Sequence, residues 1–336
     1  MRIIENYSLL KHNTFRLEVE ARWFVEYESE ADLQQLLRDE FFLSQPSLHI
    51  GAGSNLLFLS DYNGAVIHSG IRGIEKVKED DEQVWLKVGA AENWDALVAY
   101  CVEKGWGGIE NLSLIPGEVG ASAFQNIGAY GVEVSDCIVE VHSYYLPTKE
   151  KRIFAREACK YSYRHSFFKE KENLGLYYIS HVVYRLSKNP EYQLDYGNVR
   201  SRLEGKEINL QTVREAVISI RRDKLPDPAV EGNAGSFFMN PYVGMAHFEK
   251  LKQHYPSMPH YPVDNEVVKV PAAWLIEQCG LKGKTVGGAA VSAKQPLVII
   301  NHNRATGKEI ALLAEAVRRA VQEKFEIKLQ AEVNYI

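Results

Sequence analysis

The stretch NLSLIPGEVGASAFQNIGAYGVEV, Asn111 to Val134, follows neither the period of an amphipathic helix nor the alternation of a strand. In it Gly117, Gly120, Gly128 and Gly131 accompany Pro116, Ser122, Gln125 and Asn126. Glycines let backbone N–H groups approach a bound group with no side chain in the way. The segment therefore reads as backbone shaped for a ligand, and any fold must accommodate this irregular stretch within regular elements.

Those elements are mixed. Upstream, SLHI, LLFL, AVIHS and VWLKVGA read as short strands separated by turn residues. In AENWDALVAYCVEKG the residues Trp94, Leu97, Val98, Cys101 and Val102 share one helical face, with Asn93 as N-cap and Gly105 just past the end. Downstream, DCIVEVHSYYL and LYYISHVVYRLS read as strands, giving an α+β first domain to about residue 205. A helix then opens at a Thr212/Glu215 capping box and ends at Pro226 and Pro228. Its last turn holds Arg221, Arg222 and Lys224, where the helix dipole favours cations. PAAWLIEQCG is a short helix and TGKEIALLAEAVRRAVQEKF a longer one with a Thr306/Glu309 capping box. The terminal IKLQAEVNYI alternates like a strand, with Ile327, Leu329, Ala331, Val333 and Tyr335 on one face and Glu332 on the other.

Bulk properties narrow the classes. A chain of 336 residues exceeds one growing core, so two or three domains around a cleft are expected. A formal net charge of −5 and no sustained Lys/Arg run argue against nucleic acid or a membrane surface as partner. No stretch reaches the roughly 18 apolar residues of a membrane span, and the N-terminus lacks the apolar core of a signal peptide, so a cytoplasmic protein is expected. Cys101, Cys137, Cys159 and Cys279 lie far apart without metal-ligand spacing, so no metal site and no disulfide framework is expected.

GAGSNLL, from Gly51, begins like a dinucleotide fingerprint, but Leu56 stands where the third glycine belongs and a strand-like run follows in place of a helix. Phosphate binding is still open to it, because Ser54 and Asn55 add donors to a glycine turn. Together with the second glycine segment it could clasp a long diphosphate from both sides; two ordinary tight turns are the other reading. In EGNAGSFFMNP, Ser236 interrupts an apolar patch, as a cap or turn residue would.

GAGSNLL, IPGEVGASAFQNIGAYG, YSYRHSFF, LDYG, RRDKLPDP, GNAGSFFMNP, AAWLIEQCGLKG, GGAAVS and the terminal AEV, taken in order, resemble the UDP-N-acetylenolpyruvoylglucosamine reductase family along nearly the whole chain. The resemblance implies an FAD-binding domain of the vanillyl-alcohol-oxidase type over 1–205, divided as 1–68 with 326–336 and 69–205, and a separate α+β substrate-binding domain over 206–325. It implies non-covalent FAD contacts at Gly51, Ala52, Gly53, Ser54, Asn55 and Leu56, and at Pro116, Gly117, Gly120, Ala121, Ser122, Gln125, Asn126, Gly128 and Ala129. The family's catalytic arginine, serine proton donor and catalytic glutamate fall on Arg164, Ser236 and Glu332, and its substrate-diphosphate contacts on Tyr196, Lys224, Asn240 and Gln295. YQLDYGNV looks like the longer subclass, in which Tyr196 reaches over the substrate. Ala123 stands where many relatives have proline, and Asn334 where many have arginine, so the charge beside Glu332 departs from the family's pattern.

The implied reaction takes hydride from NADPH through FAD to C3 of UDP-N-acetylglucosamine enolpyruvate and a proton from Ser236 to C2, giving UDP-N-acetylmuramate for peptidoglycan. Arg164 suits the charge growing on the carboxylate. Glu332 is expected to act protonated, as a hydrogen-bond donor. No obligate protein partner is implied, and a monomer is expected. Two other readings are an FAD oxidase of the same fold and a nucleotide-sugar-binding protein without turnover; the catalytic set disfavours both.

Overall fold

The computed structural model describes residues 1–336, which divide into two compact units. The first comprises Met1–Tyr7, Ala21–Ala52 and Tyr62–Asp223, and the second Ser8–Glu20, Gly53–Asp61 and Lys224–Ile336.

In the first unit, a four-stranded sheet runs Arg2–Ser8, Glu20–Tyr27, Tyr62–Ser69, Ser47–Ile50. The last three pair in parallel around the Tyr62–Ser69 strand. That strand is buried from Gly64 to Ser69, as expected of one covered on both faces. A five-stranded sheet runs Glu150–Ala155, Ile138–Tyr145, Tyr177–Ser187, Gln83–Gly89, Ile74–Glu79, with antiparallel pairing throughout. Against it packs the helix Trp94–Glu103, whose Asn93 cap accepts from Ala96 N as the sequence predicts. Trp94, Leu97, Val98, Cys101 and Val102 are buried with Val84, Leu86, Val88, Val182 and Tyr184. Each large side chain so buried contributes about 1.5–3 kcal/mol.

The helix expected to begin at Thr212 begins at Leu210. Asn209 Oδ1 accepts from Thr212 N, and Thr212 Oγ1 accepts from Asn209 N, so Thr212 closes the reciprocal cap that Asn209 opens. Glu215 instead accepts from Gln211. The helix Leu210–Lys224 buries Val213, Val217 and Ile220 with Leu194, Val199 and Leu203. That apolar contact holds it to the first unit through Asp223, so the compact units divide later than the expected boundary at 206.

The second unit has a four-stranded sheet, Gly232–Ser236, Val298–Asn301, Ala289–Val291, Thr285–Val286, and a three-stranded one, Tyr242–Gly244, Val267–Lys269, Tyr261–Pro262. The helix Gly307–Phe325 carries the Thr306/Glu309 capping box in full. The terminal segment alternates in burial from Ile327 to Leu329, with Val333 also buried, but it is not one strand. Ala331 bridges Phe238, and then Asn334–Tyr335 pairs in parallel with Leu56–Leu57. The segment changes partner part-way, which breaks the continuous ladder.

Candidate active site

In the first unit the glycine segment, which shows no period in the sequence, contains a short helix, Val119–Gln125, and a two-residue strand, Gly128–Ala129, paired with Val132–Glu133. The helix Val119–Gln125 ends at Asn126 in the left-handed conformation, φ 49°. Its side-chain amide donates to Glu133 Oε2 and Ser162 O at 2.9 Å each, which ties the glycine segment to the turn carrying Arg164. That turn is closed by Ser162 and His165, each N–H donating to the other's carbonyl. Arg164 sits at its tip with φ 56°. Its Nη2 donates to Gly128 O at 2.7 Å, and a β-carbon at Gly128 would lie 3.0 Å from Arg164 Nη1. Gly128 is thus where the arginine lies against the glycine segment, and a larger residue there would crowd it.

Lys169 braces the same turn, donating to Arg164 O at 2.8 Å and to Gln125 Oε1 at 2.9 Å. The amide nitrogen of Gln125 is buried with no protein partner. Ser122 is turned inward, its hydroxyl between Val119 O and the Tyr184 hydroxyl. Gly120 packs where a β-carbon would come 2.9 Å from that of Ala90. Tyr196 lies on an exposed loop beside Gly197, whose φ of 69° and closeness to the Tyr130 ring exclude a side chain.

In the second unit a backbone ladder sets the site. Ser236 ends the strand Gly232–Ser236, and no helix follows it, so it is not a helix cap. The pairing with Val298–Asn301 slips between Asn233 and Ser236, and such a bulge re-aims the side chains beyond it. Gly235 takes φ 69° within the slip, and its N–H donates to Asn233 Oδ1. Asn233 is buried, and its amide donates to Pro226 O and Glu231 O. Phe237 and Phe238, which follow the serine, are buried, at 0% and 1% exposure, and anchor the chain just beyond it.

Glu332 N donates to Phe237 O at 2.8 Å and Met239 N to Gln330 O at 2.9 Å. Ser236 and Glu332 therefore stand on neighbouring extended segments. Asn55 ties the first glycine loop to the Glu332 segment: its amide donates to Glu332 O at 3.0 Å and its carbonyl accepts from Asn334 N at 3.0 Å. Asn334, where many relatives carry arginine, serves this contact with both its backbone and its side-chain amide. Gln295 lies on the turn that returns through Val298, the residue opposite Ser236. Asn240 Oδ1 accepts from Ala272 N at the start of the helix Ala272–Gln278, leaving its NH2 to donate elsewhere. Lys224 is exposed at the end of its helix.

Each unit, taken by itself, offers one observation that suits a bound polar group. Gly53 is needed where the loop passes His12, since a β-carbon would lie 1.8 Å from His12 O. The loop's carbonyls of Gly53 and Asn55 take protein donors, which orders the turn while leaving its N–H groups for an anion. The second is the orphaned amide of Gln125, a buried donor that a polar ligand would satisfy. The sequence reading singled out neither Lys169 nor Asn233. Both act by bracing irregular backbone, Lys169 through Arg164 O and Gln125, Asn233 through Pro226 O, Glu231 O and Gly235 N, and no spacing rule marks them.

Residues 21–146 match a family model described as an FAD binding domain, and residues 227–336 one described as the C-terminal domain of UDP-N-acetylenolpyruvoylglucosamine reductase. The chain is 51% identical over 333 residues to the UDP-N-acetylenolpyruvoylglucosamine reductase of Bacteroides fragilis, covering 99% of each chain. It is 48% identical over 338 residues to that of Porphyromonas gingivalis, covering 100% of each. Among solved structures it resembles the enzyme of the same description from Thermus caldophilus, with a TM-score of 0.69 at 22% identity over 100% of this chain and 99% of that one, a likeness of fold. With half its residues shared end to end with the Bacteroides protein, this chain belongs to the UDP-N-acetylenolpyruvoylglucosamine reductase family.

Proposed function

We infer that this chain uses FAD to reduce the enolpyruvyl group of UDP-N-acetylglucosamine enolpyruvate, yielding UDP-N-acetylmuramate for peptidoglycan precursor synthesis. The observation that supports this most is the pairing of the Ser236 segment with the Glu332 segment, the latter held also by Asn55 of the first glycine loop. FAD, when bound, would supply the hydride, taken from NADPH, that forms the new C–H bond at C3.

The chain's own residues handle charge and proton. Arg164 presents a planar fork to the carboxylate into which negative charge spreads from C2. Ser236 gives its hydroxyl proton to C2, forming the second C–H bond, and recovers a proton from solvent. A weak acid suffices, because the carbanionic centre is a strong base, and a neutral donor adds no ion beside the buried Phe237 and Phe238. Glu332, on the segment paired with that of Ser236, is the third catalytic candidate. Lys224 meets the substrate's diphosphate by charge, and Tyr196, Gln295 and the amide of Asn240 by hydrogen bonds.

No helix is long and apolar enough to cross a membrane. We place the reaction in the cytoplasm, carried out by a monomer with no obligate partner. Anaerobic spectroscopy tests the function. NADPH should bleach the flavin and the enolpyruvyl sugar should restore it with stoichiometric product. A flavin that bleaches and is restored only by oxygen would point instead to an oxidase.

A further inference from the structure

Leu114 stands two residues before Pro116 with φ 58°, a left-handed conformation that costs a non-glycine residue on the order of 1 kcal/mol. Both its backbone polar groups are held by side chains from elsewhere. Its N–H donates to Asp95 Oδ1 at 2.5 Å, and its carbonyl accepts from Arg221 Nε at 3.2 Å. Asp95 belongs to the first turn of the helix Trp94–Glu103. It is gripped in turn by Arg214, Nη1 to Oδ1 at 2.6 Å and Nη2 to Oδ2 at 3.0 Å, the two-pronged geometry that fixes a carboxylate best.

Arg214 and Arg221 lie two turns apart on the helix Leu210–Lys224, so one face of that helix supplies both cations. In the sequence Arg221 stands in a last turn where the helix dipole favours cations; here it bonds to Leu114 O, and burial pushes its guanidinium below the ordinary value. The side chain of Tyr130, later in the glycine segment, interacts with it and opposes that shift. Two helices thus bracket one strained residue at the entrance to that segment.

We propose that Asp95, Arg214 and Arg221 form a clamp that keeps Leu114 left-handed and so presets the backbone from Pro116 onward for FAD. The proposal rests on the flavin reading above. The three are positioning residues: they act through Leu114, and Arg221 is not required to touch the cofactor. The strain at Leu114 is then offset by the clamp before the cofactor arrives, so binding does not bear the cost of ordering the segment.

The test uses the full chain stripped of flavin and titrated with FAD, followed by quenching of flavin fluorescence. Arg221→Met should raise the FAD Kd about tenfold. Adding Leu114→Gly to that variant should return it to within about threefold of wild type, because glycine adopts the left-handed conformation without the clamp. A wild-type Kd in Arg221→Met would overturn the clamp. So would a weak Kd that Leu114→Gly does not rescue, which would make Arg221 a direct contact. Should Arg221→Met fail to fold, Leu114→Val in the wild-type background asks the same question. A branched side chain disfavours this conformation, so its Kd should rise, and an unchanged Kd would contradict the proposal. A wild-type chain that takes up no FAD would instead refute the flavin reading itself.

Discussion

Arg164 and Ser236 are positioned in opposite ways. Arg164 stands on a tight turn in left-handed backbone, held by the amide of Asn126, the ammonium of Lys169 and the carbonyl of Gly128. Ser236 stands at the end of a strand, and the residue after it, Phe237, is fixed by main-chain bonds to Leu297 and Glu332. The first unit sets its catalytic candidate with side chains, the second with backbone. A backbone ladder tolerates side-chain substitution but not a β-carbon in a close approach, whereas the side-chain network has the reverse sensitivity.

Gly53→Ala should give the larger break. Its β-carbon would lie 1.8 Å from His12 O at a φ of 69°, so main chain must move. We expect a loss of roughly 3 kcal/mol or more, read as a shift in the urea midpoint, together with lost flavin. A variant with wild-type midpoint and flavin content would show that the loop yields freely and that the second unit is not set by backbone.

The smaller effect lies in the first unit. The His68 imidazolium donates through Nδ1 to Glu26 Oε2 at 2.9 Å and through Nε2 to Glu118 Oε1 at 3.1 Å, and Glu118 immediately precedes the helix Val119–Gln125. Burial alone would lower the imidazole, but the hydrogen bonds and charges of Glu118 and Glu26 outweigh it and hold it above the ordinary 6.5. The folded state therefore binds this proton more tightly than the unfolded chain does. The resulting stability is fully present below about pH 6.5 and is lost as pH rises through the raised folded value. His68→Gln should lower the melting temperature at pH 6 by an amount equivalent to about 1–2 kcal/mol, and by clearly less at pH 9. A deficit equal at both pH values would remove the charged pair from the account.

This contrast also explains what the sequence made legible. The helix Trp94–Glu103 and the Thr306/Glu309 box follow local rules, since cap, period and stop lie within one segment. The FAD-domain reading and the family rested on motif order, which full-length identity bears out. The terminal segment misled because alternation marks an extended, half-buried chain but not its partners, and this one divides its bonds between Phe237–Met239 and Asn55–Leu59. Asn209 was missed as a cap because Thr212 and Glu215 offered the same pattern three residues later. The role of Arg221 was not legible because a helix's last turn explains a cation equally well by its dipole, and only the fold turns it toward Leu114.

The central claim is that Ser236 supplies the proton to C2, and Ser236→Ala tests it most directly. Under anaerobic conditions NADPH should still bleach the variant's flavin at near the wild-type rate, while reoxidation by the enolpyruvyl sugar should slow by roughly 10²–10⁴-fold, the range for loss of a positioned proton donor. Reoxidation at the wild-type rate would contradict the account and leave Ser236 a packing residue between its strand and Phe237.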